Sequence, residues 1–412
     1  MFSIGTFGFY VLLFFAVYVQ VFLLVTYIDN RKSIPRREKR ITLTKYPSVT
    51  VLVPCHNEQD TIAGTIESLL RLRYPKNKLT LLLIDNNSTD DTFKIMSSYE
   101  NHESVKVLFC AEKGKHVALN YGLENTHTDL VATLDADSFI SPHALERVVN
   151  VFNEDPEVQS VVSSIIIHQP KTWVQFAQKA EYELSIYVKN MLAQIGGLHV
   201  TPGPFSVFRR SIFDKIGMYR QAHNTEDCEI AMRIQKHGYK IWYCADSYVY
   251  TVAPDTLVKL FKQRIRWMYG FFRNLIDYKE MLFDRRYAGL AFFTLPSAII
   301  STISILVVVG LTVYNLVHLI SIFFMRLSAS GIDSFDPSIS LTNLYLPANV
   351  ILMVVLYILV LVAIMIGRDM ARQKIQSWKD VALFMVISGA IAPFWIIKSM
   401  IDVVRSKQSQ WK

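Results

Sequence analysis

Cysteine is scarce in this chain. Four occur in 412 residues, at Cys55, Cys110, Cys228 and Cys244, with no Cys-x-x-Cys spacing. That pattern argues against both a structural zinc site and a disulfide framework, and in a cytosolic domain such cysteines act as small buried apolar residues. Also missing is a Gly-x-Gly-x-x-Gly after the first strand-like run, and no Walker loop occurs anywhere. Neither a dinucleotide oxidoreductase nor a P-loop ATPase is supported. The formal net charge is +8, yet no nucleic-acid motif is present and Lys and Arg cluster around the apolar runs. Contact with a lipid surface explains the charge more simply than nucleic acid does.

Apolar sequence, by contrast, is plentiful, at 51% of residues with 25 Phe. That suits one sizeable soluble domain plus a few membrane spans. The run FGFYVLLFFAVYVQVFLLVTYI (Phe7–Ile28) carries no charge and is long enough to cross a bilayer of roughly 30 Å. It lacks the basic start of a secretory leader; the basic run RKSIPRREKR (Arg31–Arg40) follows it instead. Residues 1–30 therefore read as an uncleaved anchor. By the positive-inside rule the N-terminus lies outside and residues 41–284 form a cytoplasmic domain.

Residues 285–412 read as interfacial and transmembrane helices. Tyr287–Met325 is too long for one straight span, so an interfacial helix to about Pro296 followed by a span is expected. A second span is expected at Leu344–Gly367, then a cytosolic turn through the basic linker RDMARQKIQSWK (Arg368–Lys379). Asp380–Val404 is interrupted by Pro393 and Lys398, and a re-entrant or interfacial segment is expected there, ahead of a basic tail. The whole reads as a multi-pass plasma-membrane protein.

Between the apolar ends, VTVLVP (Val49–Pro54), LTLLLID (Leu79–Asp85), VKVLF (Val105–Phe109) and LVATLDAD (Leu130–Asp137) alternate with polar, helix-like stretches. Continuous apolar strands of this kind predict a mostly parallel sheet covered on both faces, an α/β nucleotide-binding architecture. In such sheets ligands bind beyond the carboxyl ends of the strands. Asn57 and Glu58 follow the first strand, Asp85 ends the second, and Asp135 and Asp137 end the fourth. Each alone is more often a helix cap or turn residue; together they mark a site. The two carboxylates of LDAD suit a hard divalent cation, Mg2+ or Mn2+, bridging diphosphate oxygens.

The ordered set VPCHNE (Val53–Glu58), LIDNNSTDDT (Leu83–Thr92), EKGKHVALNYGL (Glu112–Leu123), LDADS (Leu134–Ser138), TPGPFSVFRR (Thr201–Arg210), NTEDCEIAMRIQKHGYKI (Asn224–Ile241) and QRIRW (Gln263–Trp267) resembles family 2 inverting glycosyltransferases. The branch it resembles is the membrane-embedded, processive one that contains cellulose, hyaluronan, chitin and poly-N-acetylglucosamine synthases. The likeness runs from about Val49 to Gly270. It implies a GT-A type domain, a UDP-sugar donor, a growing polysaccharide acceptor and a lipid bilayer as partners. A small membrane accessory subunit or a homo-oligomer is compatible with it.

Residue by residue, the resemblance implies that Asp85 contacts uracil or ribose, with Pro54 and Glu58 shaping that pocket and Lys115 near the base or diphosphate. It implies Asp137 as metal ligand and Asp135 nearer the donor. Asp227 matches the catalytic base, with Glu226 as rival. Arg266 falls on the diphosphate side, Gln263 and Trp267 on the acceptor side, and Gly203, Pro204 and Phe205 in an acceptor-side loop. Two departures stand out: Asp85-Asn86-Asn87 replaces the family's Asp-Asp-Gly, and His56 replaces a Tyr.

The chemistry explains why these groups are needed. Direct displacement at an anomeric carbon requires a base for the acceptor hydroxyl and charge neutralisation for the leaving UDP. A carboxylate bound to a dication is a poor base, so Asp227 and Asp137 must be separate. Arg266 offers two parallel hydrogen bonds to phosphate, and Trp267 a flat face for a sugar. Plainer readings stand beside these. KQRIRWMYG has the composition of an interfacial anchor, Gly203-Pro204 that of an ordinary turn, and His199 and His223 read as satisfied histidines rather than metal ligands. A processive synthase leads, with UDP-N-acetylglucosamine favoured over UDP-glucose. A single transfer to a lipid acceptor and a non-catalytic membrane subunit are the alternatives.

Overall fold

The computed structural model describes residues 4–32, 43–330, 348–373 and 378–406. Most of the Arg31–Arg40 basic run, the start of Leu344–Gly367, the middle of the Arg368–Lys379 linker and the tail after Ser406 lie outside the described residues.

Eight strands form one sheet: β1 (Val49–Cys55), β2 (Leu79–Asp85), β3 (Val105–Phe109), β4 (Leu130–Thr133), β5 (Ser138–Ile140), β6 (Val158–Ile167), β7 (Ser206–Arg209) and β8 (Lys240–Thr251). Their order is β3-β2-β1-β4-β7-β6-β8-β5. The first four are mutually parallel, as are β6 and β8, while β7 and β5 pair antiparallel with their neighbours. Successive side chains of β1 and β2 enter different cores. Val49, Val51, Val53, Leu81 and Leu83 pack on Ile62 and Ile66, and Leu52, Leu82 and Ile84 pack on Ala118, Leu119 and Leu123. Burial on both faces is why these strands show no polar alternation.

The fourth expected strand is shorter than its apolar run. β4 stops at Thr133, and Asp135 to Ser138 close a turn, with the Ser138 N–H donating to Asp135 O at 3.0 Å. The chain must leave β4, in mid-sheet, for β5 at the far edge, so pairing ends before the carboxylates. Asp135 and Asp137 therefore stand in a connection at the mouth of the sheet rather than on a strand.

Among the described residues, three helices are long and apolar enough to cross a membrane: Gly8–Asn30, Leu290–Met325 and Val350–Met370. Their outward faces leave Phe14, Leu319 and Tyr357 more than half exposed, the pattern of a surface meant for lipid. No separate interfacial helix ends at Pro296. A π-turn, Leu290–Thr294, runs straight into the helix Leu295–Ser330. Pro296 has no N–H to give to the preceding turn, and there the Leu295 N–H reaches back to Leu290 O, widening the helix instead of breaking it. The segment expected to be re-entrant or interfacial is two helices, Lys379–Ala390 and Ala392–Val404, bent by 41° just before Pro393.

One further helix, Trp173–Gln194, opens on a Thr172/Gln175 capping box and lies between the sheet and the apolar helices. Gly367 lets Ala348–Met370 approach it closely, since a Cβ there would sit 1.8 Å from Glu183 O. Arg368 then bonds Glu183 at 2.7 Å and Asp380 at 2.5 Å, all three side chains buried.

Candidate active site

Lys115 opens the helix Lys115–Glu124 directly after Gly114, whose φ of +133 suits only glycine. The turn delivers its amine to Asp135 Oδ1 at 2.6 Å, with Glu226 Oε1 at 3.4 Å. Burial works against the charge, but Asp135, Glu226 and Asp227 outweigh it and raise the pKa of Lys115. Gly203 rests on this pair: a Cβ there would fall 2.6 Å from both Lys115 Nζ and Asp135 Oδ1. The glycine is thus required by close approach, on what was expected to be the acceptor-side loop. Phe205 corrects that expectation further. It is fully buried in the sheet core with Ala132 and Val207, its φ of +64 turning it inward, so it is no acceptor contact. Pro204 is half-buried in the tight turn closed by Phe205 N–H to Gly203 O at 2.7 Å.

Asp227 lies in the first turn of the helix Glu226–Lys236, where the dipole favours carboxylates. Its Oδ1 accepts from Cys228 N–H at 2.9 Å, and its carbonyl accepts from both the N–H and hydroxyl of Thr201 at 3.0 Å. Burial, then the charge of Glu226, push its pKa up to about 6 against the pull of Lys115 and Arg266. A carboxyl so placed suits a general base near neutral pH. Glu226 is instead committed to Lys115, which separates the two rivals.

Asp137 is pushed up to about 7 by burial, then by Asp135 and Glu58, while the Ser138 hydroxyl donates to its Oδ1 at 3.1 Å. Among the described residues no group of three or more His, Cys, Asp or Glu is arranged to hold a metal. The donor set is one or two carboxylates crowded by like charge. That fits Mg2+ or Mn2+, which use few protein ligands and complete their shell with water and phosphate oxygens. A closed nitrogen and sulfur site is not offered.

At the end of β2, Asp85 Oδ2 accepts from Ser88 N–H at 3.2 Å, while its buried Oδ1 has no partner, an acceptor suited to a base N–H or ribose hydroxyl. Asn86 explains one departure from the family pattern. Its amide donates to Glu112 O and accepts from Gly114 N–H at 2.8 Å, which a carboxylate cannot do at both ends. Asn87 stands at φ +59, where asparagine substitutes for glycine. His56 Nδ1 meets Asn86 O at 2.8 Å. Pro54 lies in β1 beside Ile84, and Glu58 N–H donates to Thr92 Oγ1 at 2.8 Å.

QRIRW lies on the helix Leu257–Asp277, capped by Thr256. Its apolar residues Leu260, Ile265 and Met268 pack on Trp395, Ile396 and Val174, protein rather than lipid. Gln263 Oε1 is buried without a partner. Arg266 reaches Asn224 O at 3.4 Å and acts on Asp227. Trp267 is 37% exposed, leaving a ring face free to stack.

Five residues around the site belong to no assigned role in the motifs. Arg264 binds Glu181 at 2.8 Å and lies 4.3 Å from the Trp267 ring centroid, fixing that ring from below. Gly270 and Asn274 pack on Thr225, two residues before Asp227. A glycine inside a helical run was the available signal, since it marks a close approach. His223 pairs with Asp277 at 2.8 Å, but His199 is not satisfied: its buried Nδ1 has no partner.

The family pattern described as glycosyltransferase like family 2 matches residues 47–270, more than half of the chain. The chain belongs to that family. Similar family 2 proteins include two named poly-beta-1,6-N-acetyl-D-glucosamine synthase. The one from Staphylococcus aureus is 29% identical over 269 residues, 63% of this chain and 64% of that protein. The match thus spans just under two thirds of that relative's length. The one from Staphylococcus epidermidis is 25% identical over 360 residues, 82% of this chain and 87% of that protein. Among solved structures, mannosyltransferase PcManGT from Pyrobaculum calidifontis, in complex with GDP-Man and Mn2+, aligns with a TM-score of 0.61 at 16% identity, over 96% of this chain and 99% of that one. That likeness is one of fold: a GT-A type domain with a mostly parallel sheet and flanking helices.

Proposed function

We propose that this protein is a membrane-embedded, inverting, processive glycosyltransferase that extends a β-linked polysaccharide from a UDP-sugar and passes it across the plasma membrane. One observation carries the reading: Asp227, a half-buried carboxyl pushed up to about 6 by burial and by Glu226, is distinct from the Asp135–Asp137 pair and follows Asn224, whose carbonyl Arg266 reaches.

Asp227 takes the proton of the acceptor hydroxyl as its oxygen attacks the anomeric carbon and the bond to UDP breaks on the opposite face. A base so held contributes about 10²–10⁴-fold. Lys115 and Arg266 receive the charge developing on the diphosphate. Asp137, with Asp135 beside it, would hold Mg2+ or Mn2+, which supplies Lewis-acid neutralisation of the same charge. Asp85 and the Asn86-held loop orient the nucleoside, and Trp267 carries the terminal sugar.

A raised carboxyl also favours a hydroxyl acceptor over a lipid phosphate. A phosphate monoester is already anionic near neutral pH, needs no base and is repelled by one. The names of the staphylococcal relatives support N-acetylglucosamine as the first donor sugar to test. The three long apolar helices and the bent pair among the described residues support a multi-pass placement, and the basic run Arg31–Arg40 favours the catalytic domain on the cytoplasmic side.

Protein in nanodiscs with Mg2+ or Mn2+ and a panel of UDP-sugars is expected to release UDP and form high-molecular-weight polymer. A product that stays a single-sugar glycolipid would overturn processivity. Lack of turnover with every donor would favour a non-catalytic subunit.

A further inference from the structure

The helix Trp173–Gln194 has no part in the roles above, yet its side chains border the site at two levels. Near its middle Glu181 holds Arg264, and Tyr182 stands in the field of Asp135 and Asp137. Seven positions on, and so on the same face about 10 Å farther along, Lys189 stands in the field of Asp227. The helix therefore runs from the donor carboxylates to the base.

Lys189 is half-buried and makes no ion pair among the described residues. Lys115 shows how this domain satisfies a lysine that needs only a counter-ion, with two carboxylates within 3.4 Å. Burial pulls Lys189 down to about 8 although Asp227 pulls the other way. Its neighbour is His199, lowered to about 4 by burial and then by Lys189. Neutral imidazole offers one donor and one acceptor, yet the buried Nδ1 is unpartnered.

This orphan does not sit on a loose loop. Gly197 O accepts from Thr294 Oγ1 at 2.8 Å, Leu198 O accepts from Gln235 Nε2, and Thr201 donates twice to Asp227 O. The His199 ring meets Phe271 of the QRIRW-bearing helix edge-on, with centroids 5.6 Å apart. His199 Nδ1 is thus held in a fixed loop with its hydrogen-bonding capacity unused, which buried groups rarely tolerate without a ligand, and the half-buried Lys189 in the field of Asp227 has no ion-pair partner among the described residues.

Resting on the polysaccharide reading above, we propose that Lys189 and His199 form an acceptor subsite for a neutral pyranose of the growing chain, binding its hydroxyl or acetamido oxygens. A sugar oxygen supplies what both side chains lack: an acceptor for the ammonium and a two-way partner for the imidazole. An anionic headgroup fits less well, because Asp227 and Glu226 crowd the same place. Held there, the chain presents its terminal hydroxyl to Asp227 between transfers.

The test uses full-length protein in nanodiscs with UDP-N-acetylglucosamine, Mg2+ and added β-linked N-acetylglucosamine disaccharide or tetrasaccharide. Lys189→Met and His199→Asn are expected to raise the tetrasaccharide KM at least tenfold and to shorten the polymer. UDP affinity should stay within twofold, and Lys189→Arg should recover part of the loss. Unchanged tetrasaccharide KM and product length, or a donor KM that rises as much as the acceptor KM, would overturn the subsite. If Lys189→Met fails to fold, judged by lost UDP binding, Lys189→Arg and His199→Asn carry the comparison. Wild-type protein that modifies only lipid would sink the polysaccharide reading itself. Wild-type polymer with unaltered variants would sink the subsite alone.

Discussion

Gly270 lies directly against Thr225, where a Cβ would come within 2.1 Å of the threonine hydroxyl oxygen. Asn274, one turn on, donates to that same oxygen at 3.0 Å. The helix bearing Arg266 and the helix bearing Asp227 are therefore clamped at the residue just before Glu226. Gly270→Ala should push Thr225 aside and displace the base from the acceptor. Transfer is expected to fall at least tenfold while UDP affinity changes less than threefold, as UDP-release kinetics and calorimetric titration can show.

Asp227, at about 6, is faced by Lys115, Arg266 and Lys189 as cations and by Glu226 and Asp135 as anions. The base works only when ionised. kcat/KM should climb about tenfold per pH unit up to roughly pH 6 and then level off. Asp227→Asn should lose transfer yet keep UDP binding; near-normal turnover by that variant would remove Asp227 from its role.

Asp137 is raised to about 7 in the folded chain, against about 3.9 for a free aspartate. Between those values the unfolded chain gives up its proton while the folded one keeps it, so this group's contribution to stability declines as pH rises. Without metal, Asp137→Asn should match wild type in thermal midpoint near pH 4 and exceed it near pH 7.5. Adding Mn2+ with UDP should raise the midpoint of wild type and leave that of the variant almost unmoved.

Arg368 holds Glu183 and Asp380 together in a buried cluster. Arg368→Met leaves Glu183 without its ion pair and Asp380 with only Lys179 at 3.9 Å, and is expected to cost about 3–5 kcal/mol, whereas replacing all three by apolar residues of similar volume should recover most of it. Thermal unfolding in detergent compares the two.

Part of the site's grouping was legible because short motifs at strand ends carry it: Asp85 ends β2, and Asp135 and Asp137 follow the end of β4, while Asp227 opens a helix. The parallel half of the sheet was legible for a similar reason, its strands being unbroken apolar runs. The end of β4 was not, since Leu134 and Ala136 prolong the apolar run past Thr133, where pairing stops. Phe205 misled because a single left-handed residue decides whether a loop aromatic faces the site or the core. Gly270 on Thr225 joins residues far apart in the chain, and neither local propensity nor spacing records such a meeting.

The helix that begins at Leu290 starts inside the catalytic domain. Leu290, Ala291 and Leu295 share a core with Cys228 and Met232 of the base-bearing helix, and Thr294 is bonded to Gly197. At 36 residues Leu290–Met325 is about 54 Å long, well beyond the roughly 30 Å of a hydrocarbon core. For a chain seated in a bilayer, that excess carries the helix out of the hydrocarbon and into the catalytic domain. The apolar bundle and the helix Glu226–Lys236 are therefore packed as one body, with no linker between them.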